Sequence, residues 1–161
     1  MPRSAKSAAA SSPPDGNNQP PLDQKPLLGL IGYNCRRAYL CIFEVFRERM
    51  ATVDLRPVDY SVLVLVGANP RVNQKRLARA LSIDPPNMAT LLDHLEARKL
   101  VVRKRNPKDK RSQLLLLTPQ GQKLCETAEA IVTKLEIDAT SALTKDERAQ
   151  LNRLAQKIFL R

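Results

Sequence analysis

Apolar positions along this chain recur in runs of helical and then strand spacing, and the most closely ordered of these runs lie between Ile83 and Thr118. Met88, Leu91, Leu92 and Leu95 repeat at the 3.6-residue period of an amphipathic helix. Asp84 stands where that helix needs an N-cap, and Pro85 takes the first helical position, where a missing N–H costs nothing. Val101 and Val102 then begin a strand, Asn106-Pro107 starts a turn, and Lys108, Asp109, Lys110 and Arg111 place charge at its tip before a second strand, Leu114 to Leu117. A helix followed by a basic hairpin has the form of a reading head for nucleic acid.

Upstream, residues 27–53 carry a helical stripe of Ile31, Cys35, Ala38, Ile42, Val45 and Phe46, with Tyr39 and Phe43 beside it. Such a wide stripe belongs either to an ordinary core or to a surface buried against a partner subunit. Pro57 opens the next segment, whose β-branched run from Val62 to Val66 suits a strand by propensity, while Pro57 before it and Gly67 after it are helix punctuation. Asn73 caps a short helix with Leu77, Ala78 and Leu81 inward and Lys75, Arg76 and Arg79 outward. Ala78, a tight turn at Ser82-Ile83 and a new helix from Asp84 make a helix-turn-helix pattern. After the hairpin, Thr118 caps a helix opened by Pro119, with a stripe of Leu124, Ala128, Ile131 and Leu135. Thr144 and Glu147 form a capping box for a last helix bearing Leu151, Leu154, Ala155 and Ile158. Residues 1–26, rich in Pro, Ser, Ala and Asn, read as a disordered tail.

Charge sharpens this picture. The 161-residue chain has a formal net charge of +11 and a pI near 10.0, so it calls for a partner of opposite sign. From Arg71 to Ser112 there are twelve Lys or Arg against four Asp or Glu, which concentrates the excess on the head. No run of eighteen apolar residues and no signal-peptide core occur, so a soluble, cytoplasmic protein without membrane contact is expected. Three Cys with no paired spacing fit reduced thiols. With one His, no glycine-rich phosphate loop, no G-x-S-x-G and no metal cluster, the sequence offers little for an enzyme, a metal or a cofactor to use.

The stretch LLDHLEARKLVVRKR, the hairpin NPKDKR and the join LLLLTPQG resemble, in that order, the MarR family of bacterial transcriptional regulators. The resemblance covers residues 27–161. It implies a mainly α fold with a small β wing, a winged helix-turn-helix head over 57–118, and dimerisation helices at 27–53 and 119–161. It favours helix over strand for residues 57–67. Two positions depart from the family pattern: Ala89-Thr90 stands where Thr-Arg is common in the recognition helix, and Lys99 replaces the Gly that usually follows it, which requires either a positive φ at Lys99 or a different exit.

For such a protein, bound to double-stranded operator DNA, the candidate phosphate contacts are Arg71, Lys75, Arg76, Arg79, Arg103, Lys104 and Lys110. Sequence would be read by Pro86, Asn87, Met88 and Thr90, with Asn87 suited to an adenine edge and Thr90 or Met88 to a thymine methyl, while His94 reaches phosphate. The family's wing tip enters the minor groove, a role that falls to Arg111 or Lys110, with Asp109 holding the loop. A homodimer implies a palindromic operator. Family members are usually repressors released by a small effector, often an aromatic carboxylate or phenol; an aromatic acid or its thioester would meet Tyr33, Arg36, Arg37, Tyr39 and Tyr60. Two alternatives stand beside this one: a thiol-based redox sensor using Cys35, on the apolar stripe, or Cys41, on the more polar side near Arg37; and an accessory DNA-binding protein without a ligand.

Overall fold

The computed structural model describes residues 22–107 and 112–160. Lys108, Asp109, Lys110 and Arg111 at the hairpin tip, and most of the segment read as a tail, lie outside the described residues.

An N-terminal unit ends at Cys35 and contains a single helical turn, α1 (Lys25–Leu28), and the start of α2 (Ile31–Met50). The continuous helix expected over 27–53 is therefore divided. Asn34 explains the break: its Nδ2 donates to the Leu28 carbonyl at 2.8 Å, taking the acceptor that a continuing helix would offer to Gly32. Beyond Met50 the chain tightens into a 3₁₀ turn, Ala51–Val53, closed by Asp54 in the left-handed region at φ 49°.

The second unit, from Arg36 onward, holds the core. α3 (Pro57–Ala68) contains the β-branched run, and it is helical because its start is firmly set. Pro57 fixes the first φ, and the Asp59 carboxylate accepts from the Arg56 backbone N–H at 3.1 Å and from Nε and Nη2 of the same residue at 2.8 Å each. Asp59 is buried, and Val62, Leu63 and Val66 bury the rest of the helix, so the apolar run reflects a central helix rather than a strand.

β1 (Val72–Asn73) leads into α4 (Gln74–Ala80) and, after a turn with Ser82 at φ 52°, α5 (Pro85–Ala97). The Ile83 N–H donates to the Ala78 carbonyl at 2.9 Å and closes that turn. Asp84 stands at the N-cap of α5, yet its carboxylate makes no capping bond. Pro85 and Pro86 occupy the first two helical positions, so one of the two N–H groups such a cap normally serves is missing. β2 (Val101–Arg105) and β3 (Gln113–Leu117) form the antiparallel hairpin, with β3 central in the order β1-β3-β2 and Arg103 opposite Leu115. The hairpin neck is drawn together by Asn106 and Ser112, through a backbone bond of 3.2 Å and a side-chain bond of 2.8 Å.

α6 (Pro119–Ala139) buries Ala128 and Leu135 against this core, while α7 (Lys145–Phe159) buries nothing and leaves Leu151, Leu154 and Ile158 exposed. The architecture is mainly α with a small three-stranded wing. No described helix is long and apolar enough to cross a membrane.

Candidate nucleic-acid interface

The head presents its cations as the helix periods require. In α4 the Asn73 side chain accepts from the Arg76 N–H at 2.9 Å, which fixes the helix start, and Leu77 and Ala78 turn inward, leaving Lys75, Arg76 and Arg79 exposed. Arg71 is exposed at φ 68° and its N–H donates to the Leu115 carbonyl at 3.1 Å, so the turn that carries it is tied to the sheet. Lys104 is exposed on β2. Arg105, next to it, is exposed as well and belongs with this group, although the sequence reading passed over it.

Along α5, Pro86, Asn87, Thr90 and His94 are exposed, and Asn87, Thr90 and His94 fall on one face by their spacing. The Thr90 hydroxyl donates to the Pro86 carbonyl at 3.2 Å, so its methyl is the group left for an apolar contact. Two of the expected contacts are corrected by the structure. Met88 is completely buried with Leu92 and Leu95, because the same period that places Asn87 and Thr90 outward turns position 88 into the core. Its thioether belongs to packing and presents nothing to a base. Arg103 is also withdrawn: its side chain is 16% exposed and is held by Asp93 at 2.6 Å and Glu96 at 2.5 Å. Burial works against its charge, and the hydrogen bonds it donates to Asp93 and Glu96, with their negative charge, more than offset that, leaving its pKa raised.

The proposed effector residues separate. Tyr39 stacks near Phe43 with ring centroids 5.5 Å apart, and both line a cavity of about 470 Å³ between the end of α2 and the start of α3. Arg47, Ala51, Asp54, Leu55, Arg56, Pro57 and Val58 complete its walls, and the one carboxylate among them, Asp54, is paired with Arg98 at 3.4 Å. Arg56 is committed to Asp59, so Arg47 is the cation most available there to an anionic guest. Tyr60 does not line this cavity; it packs on Phe46 at 6.0 Å, and burial, then the nearby Cys125, Glu129 and Glu136, push its phenol pKa up. Arg36 and Arg37 are exposed on α2, and Tyr33 donates to Gln24 at 2.6 Å within the N-terminal unit. Phe43, Arg47 and Arg56 line the cavity with Tyr39 without having been expected there, although the one-turn spacing of Tyr39, Phe43 and Arg47 along α2 was a signal for the first two.

A second cavity, of about 490 Å³, opens between α3, β3 and α6 and is lined by Val64, Leu117, Cys125, Glu126 and Glu129. Its two carboxylates make it the wrong sign for an acid. Burial and those carboxylates raise the Cys125 thiol pKa, which keeps it a thiol. Cys35, placed in the core by the apolar stripe, is exposed, as is Cys41. The stripe is uncovered from Ile31 to Ala38 and becomes fully buried only at Phe46 and Met50. Among the described residues no group of His, Cys, Asp and Glu is arranged to hold a metal.

Known proteins are similar to this chain in sequence and in fold. The model of the MarR family matches residues 53–112. The multiple antibiotic resistance protein MarR of Escherichia coli strain K12 is 30% identical over 116 residues, 71% of this chain and 81% of that protein. The transcriptional repressor CouR bound to a 23-mer DNA duplex superposes with a TM-score of 0.82 at 40% identity, covering 86% of this chain and 99% of that one. CouR bound to p-coumaroyl-CoA superposes with a TM-score of 0.76 at 39% identity and the same coverage.

Proposed function

Because the chain belongs to the MarR family of transcriptional regulators, we propose that it is a ligand-responsive repressor that binds a palindromic operator as a homodimer and is released by an aromatic acid or its thioester. The observation that carries this reading is the exposed basic face of α4 beside the polar face of α5 and the basic strand β2. Arg71, Lys75, Arg76, Arg79, Lys104 and Arg105 supply the sequence-independent attraction to phosphate. His94 adds a polar contact one turn beyond the readers. Asn87 offers a bidentate amide to adenine, with Thr90 and Pro86 as apolar neighbours for a thymine methyl. In this reading Lys110 or Arg111 enters the minor groove and Asp109 holds the loop.

The effector reading is supported by the cavity beneath Tyr39 and Phe43. Aromatic walls suit a ring, and Arg47 suits a carboxylate or the phosphates of a coenzyme A thioester. The CouR neighbour bound to p-coumaroyl-CoA makes a thioester the first compound to try. Release follows when the effector prefers a dimer whose two heads no longer match the half-site spacing; it weakens operator binding by that preference and no more.

A band-shift with the DNA upstream of the chain's own gene, with and without p-coumaroyl-CoA and free aromatic acids, tests both halves. Specific retention over random duplex and its reversal by one of these compounds are expected. Retention that none of them reverses would leave an accessory DNA-binding protein, and equal retention of random duplex would end the regulator reading.

A further inference from the structure

Arg103 has three acceptors, all on α5. Its guanidinium meets Asp93 Oδ1 at 2.6 Å, Glu96 Oε2 at 2.5 Å and the Ala89 carbonyl at 3.4 Å, and its backbone N–H donates to Glu96 Oε1 at 3.2 Å. These acceptors span two turns along the flank of the helix that bears Asn87, Thr90 and His94. On the other side, Arg103 is fixed in β2 by its pairing with Leu115. One side chain therefore joins the strand of the wing to the groove-facing helix at several points.

We propose that Arg103 is a positioning residue for operator recognition: it holds α5 and the wing as one body, and sequence preference depends on it although it touches neither base nor phosphate. Two carboxylates outweigh its single charge, so the cluster carries no surplus to offer a phosphate. The guanidinium fork suits this task, because a planar group with several fixed donors sets an angle that a point charge would leave loose. A helix and a hairpin that enter adjacent grooves must arrive in a fixed relation. A tilt at the clamp grows along the hairpin, and one element then loses its groove while the other keeps it.

This inference rests on the DNA-binding reading above, and it differs from the phosphate role first expected of Arg103 in what becomes of sequence preference. Asp93→Asn with Glu96→Gln removes two negative charges from each head and leaves the guanidinium in place. Were Arg103 a phosphate anchor, freeing it would tighten binding to every duplex and preserve preference. As a positioning residue it loses both anionic partners and keeps only neutral amide oxygens and the Ala89 carbonyl, which hold the fork less firmly, so random duplex is bound at least as tightly as before while the ratio of operator to random affinity falls by about tenfold.

The probe is the duplex that the wild-type protein recovers from a random-sequence pool, compared with a scrambled duplex in competition assays across a salt series. Arg103→Gln is measured alongside and is expected to show the same loss of preference. If both variants keep the wild-type ratio, or if operator and random affinity fall together, the proposal is overturned while the regulator reading stands. If the wild-type protein recovers no preferred duplex, both are overturned.

Discussion

The joint between α5 and α6 shows how single residues set the head. Lys99 takes φ 58°, a left-handed conformation that costs a side-chain-bearing residue about 1 kcal/mol, and this resolves the choice left open by the missing Gly in favour of the strained exit. Lys99→Gly should raise stability by roughly 0.5 to 1 kcal/mol, read as a shift of the urea midpoint at unchanged slope. The strain persists because the surroundings dictate it. The Thr118 hydroxyl donates to the Lys99 carbonyl at 2.6 Å, the Thr118 N–H to the Leu100 carbonyl at 3.1 Å, and the Gly121 N–H to the Thr118 hydroxyl at 3.0 Å. A Cβ on Gly121 would lie 2.0 Å from the Leu100 carbonyl oxygen, with backbone on both sides and nothing free to yield. Gly121→Ala should therefore cost at least about 3 kcal/mol or leave the chain unfolded, which circular dichroism and denaturation would show. The need for a Gly here was legible only as part of a motif, since the approaching atom is contributed by a residue twenty-one positions away.

Elements were legible where their ends carry chemistry. Thr144 and Glu147 form the capping box that their spacing announced, with the Glu147 carboxylate accepting the Thr144 N–H at 2.8 Å. The backbone and hydroxyl hydrogen bonds of Thr144 hold the Glu147 pKa below its usual value. A depressed carboxylate pKa stabilises the folded state above the unfolded pKa, and the contribution disappears as pH falls through the folded value. Protection of the first turn of α7 from hydrogen exchange, taken relative to the intrinsic rate at each pH, should accordingly fall on acidification through and below the ordinary carboxylate range, and Glu147→Gln should flatten that dependence. An acid profile identical in the variant would contradict the assignment. α3 shows the limit of local pattern: Val62 to Val66 has the same composition as a buried strand, and what decides against one is Arg56 and Asp59 bracketing Pro57, a start signal outside the apolar run. Arg103 was misread for a related reason. A charge pattern along one strand gives no notice of two carboxylates on a neighbouring helix.

For the whole molecule, the question is what covers α7. Leu151, Leu154 and Ile158 are exposed at 47, 45 and 55%, on a helix that buries no residue within the chain. An apolar face of that kind suits a second copy, as proposed above. Leu154→Asp with Ile158→Asp should give a monomer in sedimentation at concentrations where the wild type is dimeric. Operator binding should fall far more than binding to a single half-site, because two linked heads gain from effective concentration and one head does not. A variant that stays dimeric would move the interface elsewhere. The spacing showed this stripe and only the family resemblance named its partner, since a period of 3.6 is the same whether the covering surface lies in the same chain or another. The two prolines that start α5 carry a further consequence, for the heat of binding. Pro85 and Pro86 remove backbone freedom from the unfolded and frayed forms of that helix, so the turns proposed to face the groove are already ordered before DNA arrives. Association then spends little entropy on folding the reader, and the heat-capacity change measured by calorimetry should match that of two rigid surfaces meeting, without the larger negative excess of a segment that folds as it binds.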